Sequence, residues 1–387
     1  MTAETLRVLI IGGYGVFGGR IVRLLADEPR LTLIVAGRSK TKAEAFCAHV
    51  EARAEIVAEF FDRDADPEKQ IARLRPNIVV DAAGPFQAYG DDPYRVASAA
   101  MAAGADYIDL ADSPEFVCGV ERLDEMARSL GRFAISGAST CPALTAAIVA
   151  MLAERLVRVE AIEAGIAPSP FAEMGLSVMR AIAGYAGHTL LISCGGQTTK
   201  AVALVDSRRH TISPAGVRPL KERLFSLVDV PDLGLLPKHW PDLQSVWFGA
   251  GPAPVFLHRI FVTLAWLSHQ RLLPSLLPAA PLLYRARKLA RWGENRGGMY
   301  VVVEGAGADG ARLRREWSLI AEGDDGPYIP AMAAAALVLK SRDGLGPSPG
   351  ARTAVGTLDY HDFETFFVKK RISTGIRDVN VCPPRSV

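Results

Sequence analysis

Between an apolar run, Leu6 to Ile11, and a helical pattern that opens at Gly18, the chain places Gly13-Tyr14-Gly15-Val16-Phe17-Gly18. This is a G-x-G-x-x-G at a crossing from strand to helix. In such a crossing Gly13 permits the tight turn, Gly15 lets the backbone approach a pyrophosphate, and Gly18 lets the helix lie close on the strand. The start of the helix adds free N–H groups and a positive dipole end. A glycine-rich turn is common on its own, so its weight comes from the pattern of elements around it. Over the first 150 residues apolar runs alternate with helical spacing. Strands are expected at Arg7 to Gly12, Leu31 to Ala36, Ile56 to Phe61, Ile78 to Ala82, Tyr107 to Leu110 and Phe133 to Ser136. Helices fit between them at Gly18 to Ala26, Lys42 to Val50, Pro67 to Arg73, Pro93 to Ala103 and Val120 to Leu130. That alternation specifies an α/β chain with a doubly wound parallel sheet, a Rossmann fold.

A further helix is expected from Ala143 to Arg155, after which the texture changes to β-like runs such as Val159 to Ile166 and Ala201 to Val205. A second, α+β domain therefore begins near residue 156. Leu190 to Gln197 carries a Gly195-Gly196 pair, and Met299 to Glu304 with Arg312 to Ile320 reads as a hairpin. An alanine-rich helix follows over 330–340. The expected organisation is 1–155 with 326–350 packing back on it, then 156–325, then a C-terminal segment 351–387. The 387 residues carry a net charge of +2 and are 49% hydrophobic, which suits a folded globular chain and argues against nucleic-acid binding driven by bulk charge. Five scattered cysteines without a C-x-x-C pair argue against a disulfide framework and a zinc knuckle, and fit a reducing compartment.

The second strand ends Ala36-Gly37-Arg38-Ser39, where an NAD site would place an acid for the ribose 2′-hydroxyl. Arg38 can instead pair with a 2′-phosphate and Ser39 can donate to it, so NADP(H) is the expected cofactor. Asp62, ending the third strand, either reaches the adenine or caps the helix before Pro67. The fourth strand runs into Asp81-Ala82-Ala83-Gly84-Pro85-Phe86, whose small residues Ala83, Gly84 and Pro85 leave room for a nicotinamide ribose.

Together with Tyr89-Gly90, Ala105-Asp-Tyr-Ile-Asp-Leu110 and Pro114-Glu-Phe116, these motifs resemble the saccharopine dehydrogenase family, specifically its NADP-binding, saccharopine-dehydrogenase-like oxidoreductases. The resemblance is strongest over residues 6–150, and Gly326-Pro-Tyr-Ile-Pro330 is similar to the family's returning segment. It implies a Rossmann domain, a second α+β domain with a mixed sheet, C-terminal helices packing back on the first domain, and hydride transfer to or from a C=N or C=O carbon. Phe225 to Tyr284 is rich in Leu, Pro and aromatics, which departs from what a dicarboxylate substrate such as saccharopine would need.

A proton donor is sought at Tyr89, Asp109 and Asp112, on loops or strand ends that should face the cleft, with Tyr89 first; each also has a reading as a local hydrogen-bonding residue. Cys141, in Ser139-Thr140-Cys141-Pro142, is either a thiol activated by a helix start, as in a semialdehyde dehydrogenase, or a small buried cysteine. His188, His258 and His269 lack the spacing with a carboxylate that a metal site on a helix needs, and no metal is expected. Tyr284 and Lys288 form a Y-x-x-x-K without the strand that should follow.

Val255 to Tyr284 is apolar, but His258, Arg259, His269, Gln270 and Arg271 interrupt it and three prolines break it, short of the roughly 18 continuous apolar residues of a spanning helix. With Arg285, Arg287, Lys288 and Arg291 it offers an apolar patch with a cationic edge over 255–291, suited to a membrane surface, an acyl substrate or a second subunit in a homodimer; a solvated helix face is the alternative. The N-terminus shows no signal-peptide pattern, so a cytoplasmic protein, peripheral to a membrane if the patch is used, is expected. The functional expectation is an NADP(H)-dependent oxidoreductase acting on a small molecule. Three alternatives remain: a reductase of a lipid or polyketide-derived substrate, a Cys141-dependent semialdehyde dehydrogenase, and a non-catalytic NADP(H) sensor.

Overall fold

The computed structural model describes residues 5–173, 175–289 and 292–380. Cys382 and Arg291 lie outside the described residues. Among these, sixteen strands follow in chain order: β1 (Leu6–Ile11), β2 (Leu31–Gly37), β3 (Glu55–Phe60), β4 (Ile78–Asp81), β5 (Asp106–Asp109), β6 (Phe133–Ser136), β7 (Arg158–Ala167), β8 (Thr189–Cys194), β9 (Gln197–Val202), β10 (Ser207–Ile212), β11 (Leu220–Leu227), β12 (Ser245–Ala250), β13 (Arg296–Ala306), β14 (Arg312–Glu322), β15 (Gly350–Thr353) and β16 (Ile372–Asn380). They belong to two compact units. One holds the chain up to Leu144 together with Tyr328–Leu358, the other Thr145–Pro327 together with the chain from Asp359 on.

The first unit is a seven-stranded parallel sheet in the order β3-β2-β1-β4-β5-β6-β15. Strands that are apolar along their length, such as β2 and the Val8–Ile11 part of β1, are buried, as a sheet covered on both faces requires. The helix Gly18–Leu25 presents Ile21, Val22 and Leu25 to it at helical spacing. The order reverses between β1 and β4, and the register aligns Ile11 with Asp81 and Asp81 with Asp109. The carboxyl ends of the central strands thus meet at one rim, where doubly wound sheets take ligands.

Six strands were expected here; the seventh, β15, arrives from far along the chain. Its sequence, Gly-Ala-Arg-Thr, is too short and mixed to announce a strand. It is tied by the Gly350 amide to the Arg132 carbonyl and by the Ala351 amide to Asp124 Oδ1 at 2.9 Å. The helix Ile329–Arg342 does return to this unit, against Gly18–Leu25, and buries every residue from Ala331 to Val338. The unit boundaries accordingly differ from those read in the sequence: the helix Thr145–Ala153 belongs to the second unit, and Tyr328–Leu358 to the first as one piece. The helix expected over 120–130 starts as a tight turn, Val120–Leu123, and is α-helical only over Asp124–Ser129, while a further helix, Pro114–Gly119, capped by Ser113, precedes it.

The second unit holds a mixed sheet in the order β10-β11-β12-β7-β13-β14-β16, in which β12 and β7 are parallel and the other neighbours antiparallel. A separate hairpin, β8–β9, turns at Gly195-Gly196, both in the left-handed region that such a two-residue turn demands. No helix among the described residues is long and apolar enough to cross a membrane.

Candidate cofactor site

At the end of β1 the first residue that must be glycine is Gly12, at φ +74°, where an added Cβ would stand 3.0 Å from the Ala82 carbonyl oxygen. The amides of Gly12 and Gly13 both donate to the Ala36 carbonyl, so the turn is bound to β2 and pressed against β4 at once. Gly18 opens the helix, and a Cβ there would lie 2.2 Å from the Gly12 oxygen. No side chain caps this helix, whose N-cap position is Phe17. The Gly19 amide donates to the Gly15 carbonyl at 2.9 Å and the Arg20 amide to the Phe17 carbonyl at 3.0 Å, so the turn winds directly into the helix, and its glycines leave the backbone bare enough for a pyrophosphate to approach the positive end of the helix. Gly13 is crowded as well, a Cβ there standing 2.8 Å from the Ile10 carbonyl oxygen, so Gly12 adds one more required glycine in front of the motif.

Tyr14 reaches across the turn: its hydroxyl lies against Gly37 and accepts the Ser39 amide at 3.1 Å. Ser39 caps the next helix, Lys40–Cys47, accepting the Lys42 amide at 3.3 Å, and its hydroxyl proton stays available to donate. Arg38 beside it is exposed. Asp62 turns its carboxylate on the Asp64 amide at 3.1 Å, while its backbone is clamped by Gln70; the helix cap before Pro67 is Asp66. Asp62 thus does not cap that helix.

The loop after β4 contains the cis Gly84–Pro85 peptide and the short turn Phe86–Ala88. It brings Tyr89 back over its own strand, so that the Tyr89 hydroxyl donates to Asp81 Oδ2 at 2.8 Å while Asp81 Oδ1 accepts the Ala83 amide at 3.0 Å. One face of the Tyr89 ring stacks on Phe86 at 4.9 Å and Arg63 lies over the ring at 3.9 Å. Arg63 also donates to the Ala83 carbonyl at 2.7 Å. Burial, and then the Asp81 carboxylate, hold the Tyr89 hydroxyl well above its ordinary pKa. Tyr89, first among the expected proton donors, is engaged in holding the loop. Asp112 is exposed and accepts from Gln87 at 3.1 Å.

Asp109 lies beside Asp81 at the end of β5 and is wholly buried. Its Oδ1 accepts from the Ala111 amide, the Gly137 amide and the Ser136 hydroxyl, each at 2.9 Å, and its Oδ2 has no hydrogen-bond partner. Burial pushes its pKa up to about 7, and raises that of Asp81 as well. Cys141 is buried, with an extended backbone at φ −111° and ψ 119°, in the helical turn Thr140–Leu144 that runs directly into the helix Thr145–Ala153. It therefore sits where the helical segment opens, and its burial leaves the small buried cysteine standing beside the activated thiol as a reading. Arg63 and the Asp81–Tyr89 pairing escaped sequence reasoning; an acid closing each of the apolar strands β4 and β5 was the available signal.

The glycine turn, the uncapped helix and the rim of β1, β2 and β4 match a known pattern: residues 8–140 fit the family model described as the saccharopine dehydrogenase NADP binding domain. Over those residues the first unit is similar to the NADP binding domain of saccharopine dehydrogenases. Saccharopine dehydrogenase (L-Glu forming) from Saccharomyces cerevisiae shares the fold over 97% of this chain and 100% of its own, with 12% identity and a TM-score of 0.67. More distant are a meso-dapdh mutant from Clostridium tetani (12% identity, 93% and 99% covered, TM-score 0.44) and a probable dehydrogenase from Thermotoga maritima (9%, 95% and 98%, 0.44). No curated protein matches the chain. The saccharopine dehydrogenase-like architecture accounts for both sheets and for the returning helix.

Proposed function

We propose that this chain is an NADP(H)-dependent oxidoreductase of the saccharopine-dehydrogenase-like kind, moving a hydride to or from a C=N or C=O carbon of a small or lipid-like substrate. The observation that carries the reading is the end of β2, where no carboxylate meets a ribose 2′-hydroxyl and the exposed Arg38 stands beside the Ser39 hydroxyl. When bound, the nicotinamide supplies the hydride. The backbone from Gly13 to Gly18 then holds the pyrophosphate, Arg38 and Ser39 the 2′-phosphate, and Ala83, Gly84 and Pro85 the nicotinamide side. Arg63, Tyr89 and Asp81 keep that last loop in place.

Titration of the purified protein with NADPH, NADP, NADH and NAD tests this. NADPH should bind most tightly, and Arg38→Ala should weaken it ten-fold or more, about 1.4 kcal/mol, with little effect on NADH. Absence of binding by any dinucleotide would end the proposal. The engagement of Tyr89 with Asp81 favours a second reading, a non-catalytic NADP(H) sensor; oxidation of NADPH by the protein with any member of a panel of imines and carbonyls would exclude it.

A further inference from the structure

In the second unit the helix Val255–His269 is mostly apolar, yet only His258 and Ala265 are buried in it. A helix of that composition belongs in a core or against another apolar phase. Phe256, Arg259, Ile260, Thr263 and Trp266, three or four residues apart, share one face, and all are exposed. The apolar surface continues beyond the helix. The Phe256 ring lies 5.8 Å from that of Trp292, and further along the chain Leu272 and Leu282 are open too; with Ile260 and Trp266 these apolar side chains are between 46% and 69% exposed.

Along the segment that carries this surface the charge has one sign. From Leu243 to Gly293 the sequence contains no Asp or Glu, while it contains six Lys or Arg; a chain that is nearly neutral overall has concentrated cations here. Arg259, Arg271 and Arg285 are exposed. Arg287 is committed to the Ala172 carbonyl at 3.2 Å.

We propose that this face, led by Phe256, Ile260, Trp266 and Trp292 and rimmed by Arg259, Arg271 and Arg285, docks the protein onto an anionic lipid bilayer. Apolar side chains with tryptophans among them enter the headgroup region, and the arginines meet lipid phosphates and carboxylates. The helix has 15 residues, which suits lying in the interface and not crossing it. A second copy of the chain fits less well, because a symmetric contact would bring two cationic rims together without an acid from this segment between them. An acyl substrate fits less well too, since residues this exposed form an open surface and not an enclosed channel.

Flotation of the full-length protein with phosphatidylcholine vesicles, with and without phosphatidylserine, tests the inference. Binding should require phosphatidylserine and weaken with salt. Arg259→Gln and Arg285→Gln should each lower partitioning about five-fold and together about 25-fold, and Ile260→Glu should abolish it, with thermal melts confirming that each variant is folded. Failure of the folded wild type to float with phosphatidylserine vesicles would overturn the inference, as would equal binding to both vesicle types. A lipid-free dimer that Ile260→Glu converts to monomer would assign the face to a second copy and overturn it as well.

Discussion

Asp109 is held by three donors on one carboxylate oxygen and by none on the other, with the Asp81 carboxylate in the next strand. An unfolded aspartate loses its proton near about 3.9; in the fold burial moves that loss to about 7. Between these values the folded chain keeps a proton that the unfolded chain has released. Stability contributed by this group is therefore present at low pH, falls as pH rises through the window and levels off above it. Asp109→Asn keeps an acceptor for the three donors and removes the titration. Denaturant unfolding at about pH 5 and about pH 8 should show the wild type losing more stability across the interval than the variant. Equal losses would place the titration elsewhere. The same residue shows what a sequence hides: an Asp closing an apolar strand is visible, but the three donors, one of them the distant Ser136, are brought to it only by the sheet.

At the scale of elements, the helix Ile329–Arg342 has no polar stripe over its central turns, and four successive alanines let it approach its neighbours closely. Leu337 is completely buried in it. Because alanine is the better helix former, a Leu337→Ala change isolates packing from propensity. Unfolding measurements should show a loss of about 2–5 kcal/mol. A loss well below that range would mean that the surroundings close over the cavity. The element was readable as a buried helix because an apolar, alanine-rich run of that length has no other stable place. By contrast β15 has four residues and β8 and β9 are mostly exposed, so neither hydrophobic run length nor alternation separates them from loop.

At the scale of the whole molecule, each unit is finished by chain that arrives late. The first takes Tyr328–Leu358 after the second has been threaded, and the second takes the chain from Asp359, whose β16 pairs with β14 along nine residue pairs. A fragment ending at Leu144 would lack the helix Ile329–Arg342 and expose the apolar surface of Gly18–Leu25 that it covers. Expressed alone, that fragment should aggregate or melt without cooperativity, and co-expression of 328–358 should restore a cooperative transition in calorimetry. A sharp melt of the fragment alone would show that the early sheet suffices.

Local sequence determined the parts that depend on neighbours in the chain. Periodicity set six of the strands in the first sheet and the helices between most of them, the glycine spacing set the turn from β1 into its helix, and the missing acid after β2 set the expectation of a 2′-phosphate. The tertiary structure decided whatever depends on residues that meet only after folding. It tied the Tyr89 hydroxyl to Asp81, laid Arg63 across the Tyr89 ring, gathered three donors on one oxygen of Asp109, and added β15 to the sheet. The reason is one of range. Periodicity and capping act over a few residues and are written in order along the chain, whereas the partner of a buried polar atom is chosen by burial, which forces each carboxylate and guanidinium to find a counterpart wherever the packed chain supplies one.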